Sequence, residues 1–268
     1  MKKVFLAIIA LTTLVIACNK TELKENPNSA NANPIRTRTS CEYTSITSPF
    51  TNTNLETNLS MLGRLHNECL TYYFNSAQTS GLTKDNQPAF DNHLQSTLKA
   101  FNESNGISLN EGSFYPCINS NQVLYSDDNF QTSFSTEAQN IINAVVALLS
   151  DETKTYNDYV TGLNQLKANA YALSVENEKI SVLCMITVST YSLEYWNSHL
   201  NEWIVYFGGK KTRLSKLGKI GLSDGIGAIR GAIGGGFIGG PIGVFAGALC
   251  GAGANSVVRG LVLGFTGY

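Results

Sequence analysis

Apolar residues recur at helical spacing through most of this chain. Leu55, Leu59, Leu62, Leu65, Leu70 and Tyr73 form one stripe, the pattern of a helix that buries a single face. Phe90, Leu94, Leu98 and Phe101 form the next, after Pro88, a residue suited to a first helical turn. Residues 105–132 lose the period and gain Gly, Pro, Asn and Asp, which predicts a long loop. Ser135-Thr136-Glu137 then opens a helix through Ile141, Ile142, Val145, Val146, Leu148 and Leu149. Tyr156 to Leu173 follows, with Tyr159, Leu163, Leu166 and Tyr171 inward. Glu176 to Phe207 is the longest, carrying Ile180, Leu183, Ile186, Tyr191, Tyr195, Trp196, Leu200 and Trp203. No run combines period-two alternation with hairpin turns. The pattern predicts an all-α fold, with residues 50–207 forming a helical bundle large enough for one core.

Beyond residue 207 the pattern changes. Gly227, Gly231, Gly235, Gly239, Gly243, Gly247 and Gly251 return at every fourth position, which places them on one side of a helix. Ile229, Ile233 and Phe237 form a second row, and Phe245, Leu249, Val257, Leu261 and Phe265 lie on another. Glycine costs a helix about 1 kcal/mol relative to alanine in water. In a bilayer unsatisfied backbone groups are very costly, which drives such a chain to be helical, and small residues let two helices approach closely. The tail therefore reads as a glycine zipper that inserts in, or packs within, a membrane. Gly239-Gly240-Pro241 is turn chemistry and predicts a helical hairpin, with limbs at Ser223–Ile238 and Ile242–Phe265. The second limb is long enough to span a bilayer. Asp224, Arg230, Asn255 and Arg259 argue for insertion on demand, as an oligomer, rather than for a permanent anchor. Two rival readings stand beside this one. A flexible linker is opposed by the tail's Ile, Phe, Leu and Val; the stronger rival is a hairpin buried in the protein's own core.

At the other end, Met1-Lys2-Lys3 followed by the apolar run Val4 to Ala17 is a secretory signal in form. Val15-Ile16-Ala17-Cys18 looks like a bacterial lipobox, with Cys18 the lipidated residue and residues 1–17 the signal peptide. Residues 18–49 are rich in Asn, Thr, Ser and Pro and read as a disordered tether. Arg36 and Arg38 lie in it as candidate cleavage sites, against the plainer reading of two solvated charges.

The net charge of −1 hides an asymmetry. Thr39 to Phe207 holds six basic and seventeen acidic residues, whereas residues 208–268 hold seven basic residues against Asp224 alone. An acidic body joined to a cationic, apolar tail is the charge pattern of a masked membrane binder. Arg213, after Gly208-Gly209-Lys210-Lys211-Thr212, is the favoured cleavage site between the two, and Arg230 a weaker one.

Candidates for chemistry are sparse. His66 and Cys69 stand one turn apart, but no second HxxH or CxxC accompanies them to complete a metal site. Walker A and HExxH motifs are absent. No catalytic residue, metal, cofactor or nucleic-acid partner is expected. Cys41, Cys69, Cys117, Cys184 and Cys250 remain after Cys18, and an exported protein can pair them. Cys41 with Cys117 is the first pairing to test.

The ladder Ile226–Gly253 resembles the glycine-zipper segments of small unmodified bacteriocins and other membrane-permeabilising toxins. With the lipobox, the chain looks like toxin precursors that gut Bacteroidales export as lipoproteins and activate by proteolysis. It is also similar to Bacteroidota lipoproteins that pair a helical body with a glycine-zipper end, where Leu65-His66-Asn67-Glu68 is a signature of the type found early in the body. The resemblance implies an outer-membrane lipoprotein, on the surface or the periplasmic face, cut after arginine by an extracellular or periplasmic protease. It also implies a homo-oligomer acting on target-cell lipids, lipopolysaccharide among them. One departure is that bacteriocin precursors carry a short leader ending in two glycines, whereas here a whole domain precedes Gly208-Gly209. The alternative is a non-toxic outer-membrane lipoprotein whose zipper packs on its own bundle or on partner helices.

Overall fold

The computed structural model describes residues 46–51, 54–82, 87–109, 134–208 and 217–266. The fold is all-α, as the periodicity predicts. Its helices are α1 (Leu55–Thr79), α2 (Gln87–Ser104), α3 (Thr136–Ser150), α4 (Tyr156–Tyr171), α5 (Glu176–Tyr206) and α6 (Leu217–Thr266). A two-residue antiparallel ladder, β1 (Ile46–Thr47) with β2 (Ser108–Leu109), ties the segment before α1 to the end of α2.

Helices α1, α3 and α4 begin where side chains satisfy free amides of the first turn, whereas α5 starts after Val175 with no side-chain cap. Asn54 accepts from the Thr57 amide, Ser135 from that of Ala138, and Thr155 forms a capping box with Asp158. Glu178 of α5 reaches back to the amide and hydroxyl of Ser135, at 2.9 and 2.5 Å, and so docks the start of α3 on the start of α5. Helix α1 runs on to Thr79, six residues past Tyr73, where the predicted stripe stops. Ala77 is fully buried, and the chain leaves the helix only at Gly81, whose φ of 61° lets the Leu82 amide return to the Ala77 carbonyl.

Helix α5 is the axis of the bundle. Every residue from Ser181 to Ser189 is buried, because α6 covers one side while α1 and α4 cover the others. A stripe reading therefore understates α5, which is buried all round in its middle. Its far end carries an aromatic cluster. Trp203 stacks on Phe74 at 5.1 Å and on Tyr73 at 6.2 Å, and meets Trp196 edge-on at 5.1 Å.

Helix α6 is two helices fused across a bend at Gly240, where φ is 58° and ψ −147°. Only glycine adopts that conformation without strain. Pro241 follows as the first residue of the second limb, a position where its missing amide costs nothing. The bend falls inside the predicted break, and the two limbs fold back on each other. The first limb starts at Leu217 rather than Ser223, because Leu217 and Ile220 are already core residues. Both limbs are sheathed by the other helices. Ala228, Ile229 and Ala232 from the first limb and Val244, Phe245, Leu249 and Val257 from the second are buried in one core with α1, α3 and α5. The tail thus occupies the position of the rival reading, a hairpin inside the protein's own core.

Candidate functional site

The spacing-four glycines meet across the hairpin. A β-carbon on Gly231 would overlap the carbonyl of Gly247, and one on Gly235 the carbonyl of Gly243. One on Gly227 would stand 2.5 Å from the Gly251 carbonyl oxygen. Gly227, Gly231, Gly235, Gly243, Gly247 and Gly251 therefore form a single limb-to-limb seam, backbone against backbone. Gly239 lies just before the bend, and its surroundings fall outside the described residues. Asn255 adds a long hydrogen bond, 3.5 Å, across the seam to the Ser223 carbonyl.

A second set of glycines, off the spacing-four ladder, faces the body. Gly221 and Gly225 lie against α5, where the Ser189 hydroxyl donates to the Gly221 carbonyl at 3.0 Å. On the second limb Gly260 admits the rings of Trp196 and Trp203, which would stand 2.5 and 2.7 Å from a β-carbon there.

Between these seams lies a buried polar node. Asp224, from the first limb, is fully buried; the Ser192 hydroxyl donates to its Oδ2 at 2.6 Å and the Trp196 indole at 3.1 Å. His66 of α1, also fully buried, has Nε2 at 3.7 Å from the same oxygen and at 2.7 Å from the hydroxyl of Ser256 on the second limb. Asn67 donates its Nδ2 to the Tyr191 carbonyl at 3.0 Å, which turns its Oδ1 toward His66 Nδ1, 3.0 Å away. An acceptor on that side assigns the ring proton to Nδ1, leaving Nε2 to accept from Ser256. Burial holds His66 well below the ordinary range, at about 4, so the ring is neutral near pH 7.

Histidine, serine and aspartate are thus together, but not as a hydrolytic triad. There the carboxylate bonds the nitrogen remote from the serine; here an amide occupies that place, and Asp224 and Ser256 share one side of the ring. Cys69, three residues from His66, is buried against Gly253, and burial pushes its thiol up to about 12. That removes the thiolate on which nucleophilic or metal-binding chemistry depends. Among the described residues no three His, Cys, Asp or Glu side chains gather into a metal site.

The other residues singled out from the sequence are distributed unevenly once the chain is folded. Cys18, Arg36, Arg38 and Arg213 lie outside the described residues, as do Cys41 and Cys117. Arg230 sits half-buried inside the first limb, in helical backbone that a protease must unwind to cut. The node is what sequence reasoning misses. On the sequence alone Asp224 is a charge opposing insertion, His66 half of an incomplete metal pair and Trp196 plain core. The available signal is Asp224 itself, one carboxylate in a long apolar segment, which folding must supply with donors.

Comparison with family models, curated proteins and solved structures yields no match, so the hairpin and the node alone carry the functional reading.

Proposed function

We propose that this chain is a latent antibacterial toxin, made as a lipoprotein precursor, whose C-terminal hairpin permeabilises the envelope of a target cell after proteolysis. The observation that carries the reading is the hairpin's own closure. Its limbs are joined by glycine backbone contacts, and it holds an apolar helical stretch, Gly240–Val258, long enough to cross a bilayer. Such a unit can leave its sheath without first assembling, and the body keeps it out of water until then. In this reading Cys18 carries the lipid, cleavage after Arg36 or Arg38 frees the protein, and cleavage after Arg213 unties the hairpin. The activating protease, the target lipids and self-association belong to the same proposal. While the limbs stay zipped, hairpins can associate only through faces other than the glycine seam.

A second reading has its own observation. The apolar stretch Gly240–Val258 is 67% buried and shares one core with the other helices. A lipoprotein that simply uses its zipper as a core element would look the same at rest. Dye release from anionic, outer-membrane-like vesicles separates the two, with non-lipidated protein from Asn19 onward assayed before and after arginine-specific proteolysis. Leakage only after cutting supports the toxin. Silence both from vesicles and on intact sensitive cells, with the tail resistant to protease, supports the core element.

A further inference from the structure

The sequence invites the view that cutting the chain after Arg213 sets the hairpin free. Among the described residues, the contacts between hairpin and body point elsewhere, because the packed helices make them. The first limb is held by α5 through the Ser189–Gly221 hydrogen bond and through the two donors, Ser192 and Trp196, on Asp224. The second limb is held by α1 through His66 and Ser256, and by α2, where the Asn102 amide reaches Cys250 at 3.5 Å. Around these bonds Leu217, Ile220, Ile229, Phe245, Leu249 and Val257 are buried almost completely.

We propose that the body, residues 50–207, is an inhibitor that keeps the hairpin bound after the chain between them is cut, so that cleavage arms the protein and lipid releases it. The inference rests on the reading of the hairpin as the membrane-active part. A cut removes only the tether. It turns an intramolecular contact, at the millimolar effective concentration typical of short linkers, into a bimolecular one. The interface that remains is of the kind that dissociates slowly, an apolar core around fully desolvated polar pairs. Drawing the hairpin into water would expose its apolar faces and would strip Asp224 of donors placed for it. A bilayer removes the first obstacle, because hydrocarbon accepts apolar faces as readily as the body does, while glycine packing between limbs persists there. The node then acts as the remaining latch, with one polar residue on each limb read by α1 and α5.

The test inserts a site-specific protease sequence after Arg213 in the non-lipidated protein, cuts to completion, and follows both pieces by size-exclusion chromatography with light scattering. The pieces are expected to co-elute at the mass of the whole chain in lipid-free buffer. On adding vesicles of anionic lipid, the 214–268 piece should float with lipid and leave the body behind. Ser192→Ala and Trp196→Phe, made singly and checked for helix content before cutting, should each speed transfer to vesicles roughly tenfold, the scale of one lost hydrogen bond to a buried polar group. Separation or precipitation of the hairpin piece directly on cutting, without lipid, overturns the proposal. So does transfer at an unchanged rate in both variants. Co-elution and lipid transfer without any dye release would uphold the inhibitor while removing the toxin reading, so the two fail independently.

Discussion

The hairpin has two seams, and they are built from opposite materials. Limb meets limb through glycines, with backbone on backbone and almost no side chain between. Hairpin meets body through large apolar side chains, two indoles and a buried carboxylate with its donors. The first seam depends on close van der Waals approach, which lipid does not weaken. The second depends largely on keeping apolar surface from water, a driving force that vanishes when water is replaced by hydrocarbon. One molecule thus carries a contact suited to both environments beside a contact suited to water only.

The hardest blow to this contrast is Gly231→Leu. Its side chain would start inside the Gly247 carbonyl, and neither backbone can yield without opening the limbs. A loss of about 4 kcal/mol or more is expected, read by chemical denaturation. A loss under half of that would mean the limbs are not locked by their glycines. The body seam is probed next through pH. His66 is neutral in the fold, with its proton affinity lowered to about 4 against 6.5 when unfolded. Between those values the unfolded chain binds more protons, so its contribution is complete above pH 6.5 and lost as pH falls toward 4. That amounts to about 3 kcal/mol over the window. His66→Gln should flatten the stability–pH profile across it, and a slope equal to the parent's would remove His66 from the node. Trp196→Phe, which deletes one donor to Asp224 and shortens a fully buried ring, should cost about 1–3 kcal/mol by thermal or chemical unfolding. Smallest of all, Lys167→Gln breaks an exposed ion pair with Glu56 at 3.2 Å. It should change stability by less than about 1 kcal/mol, and less again at high salt.

How much of this can be read from sequence follows the same division. The glycine seam repeats every four residues along a single segment, so a one-dimensional pattern carries it, and the bend at Gly239–Pro241 comes with it. The helices are legible for the same reason, down to caps such as Ser135. The body seam is written across distant segments. His66 and Ser256 are 190 positions apart, and Ser192 and Asp224 are 32. No local period connects them. Gly221, Gly225 and Gly260 escape notice because they stand off the ladder, and their neighbours, Ser189 and the two indoles, are known only once α5 is laid beside α6. Spacing marks Tyr195, Trp196 and Trp203 as core, and core they are, whereas Tyr191, marked with them, is only half-buried; that Trp196 also donates to a carboxylate depends on the indole's orientation, which spacing does not encode.

The bend at Gly240 has a mechanical consequence. No residue from Gly231 to Val258 is charged. At 1.5 Å per residue, this uncharged stretch extends about 14 Å from the bend along the first limb but about 27 Å along the second. A hydrocarbon layer is about 30 Å thick. Entering bend-first, the second limb could nearly cross before meeting Arg259, while the first would bring Arg230 to the surface when its tip had reached only mid-depth. Halted there, the hairpin would be a wedge, adding cross-sectional area to one leaflet and little to the other. That imbalance strains a bilayer even before any pore is lined.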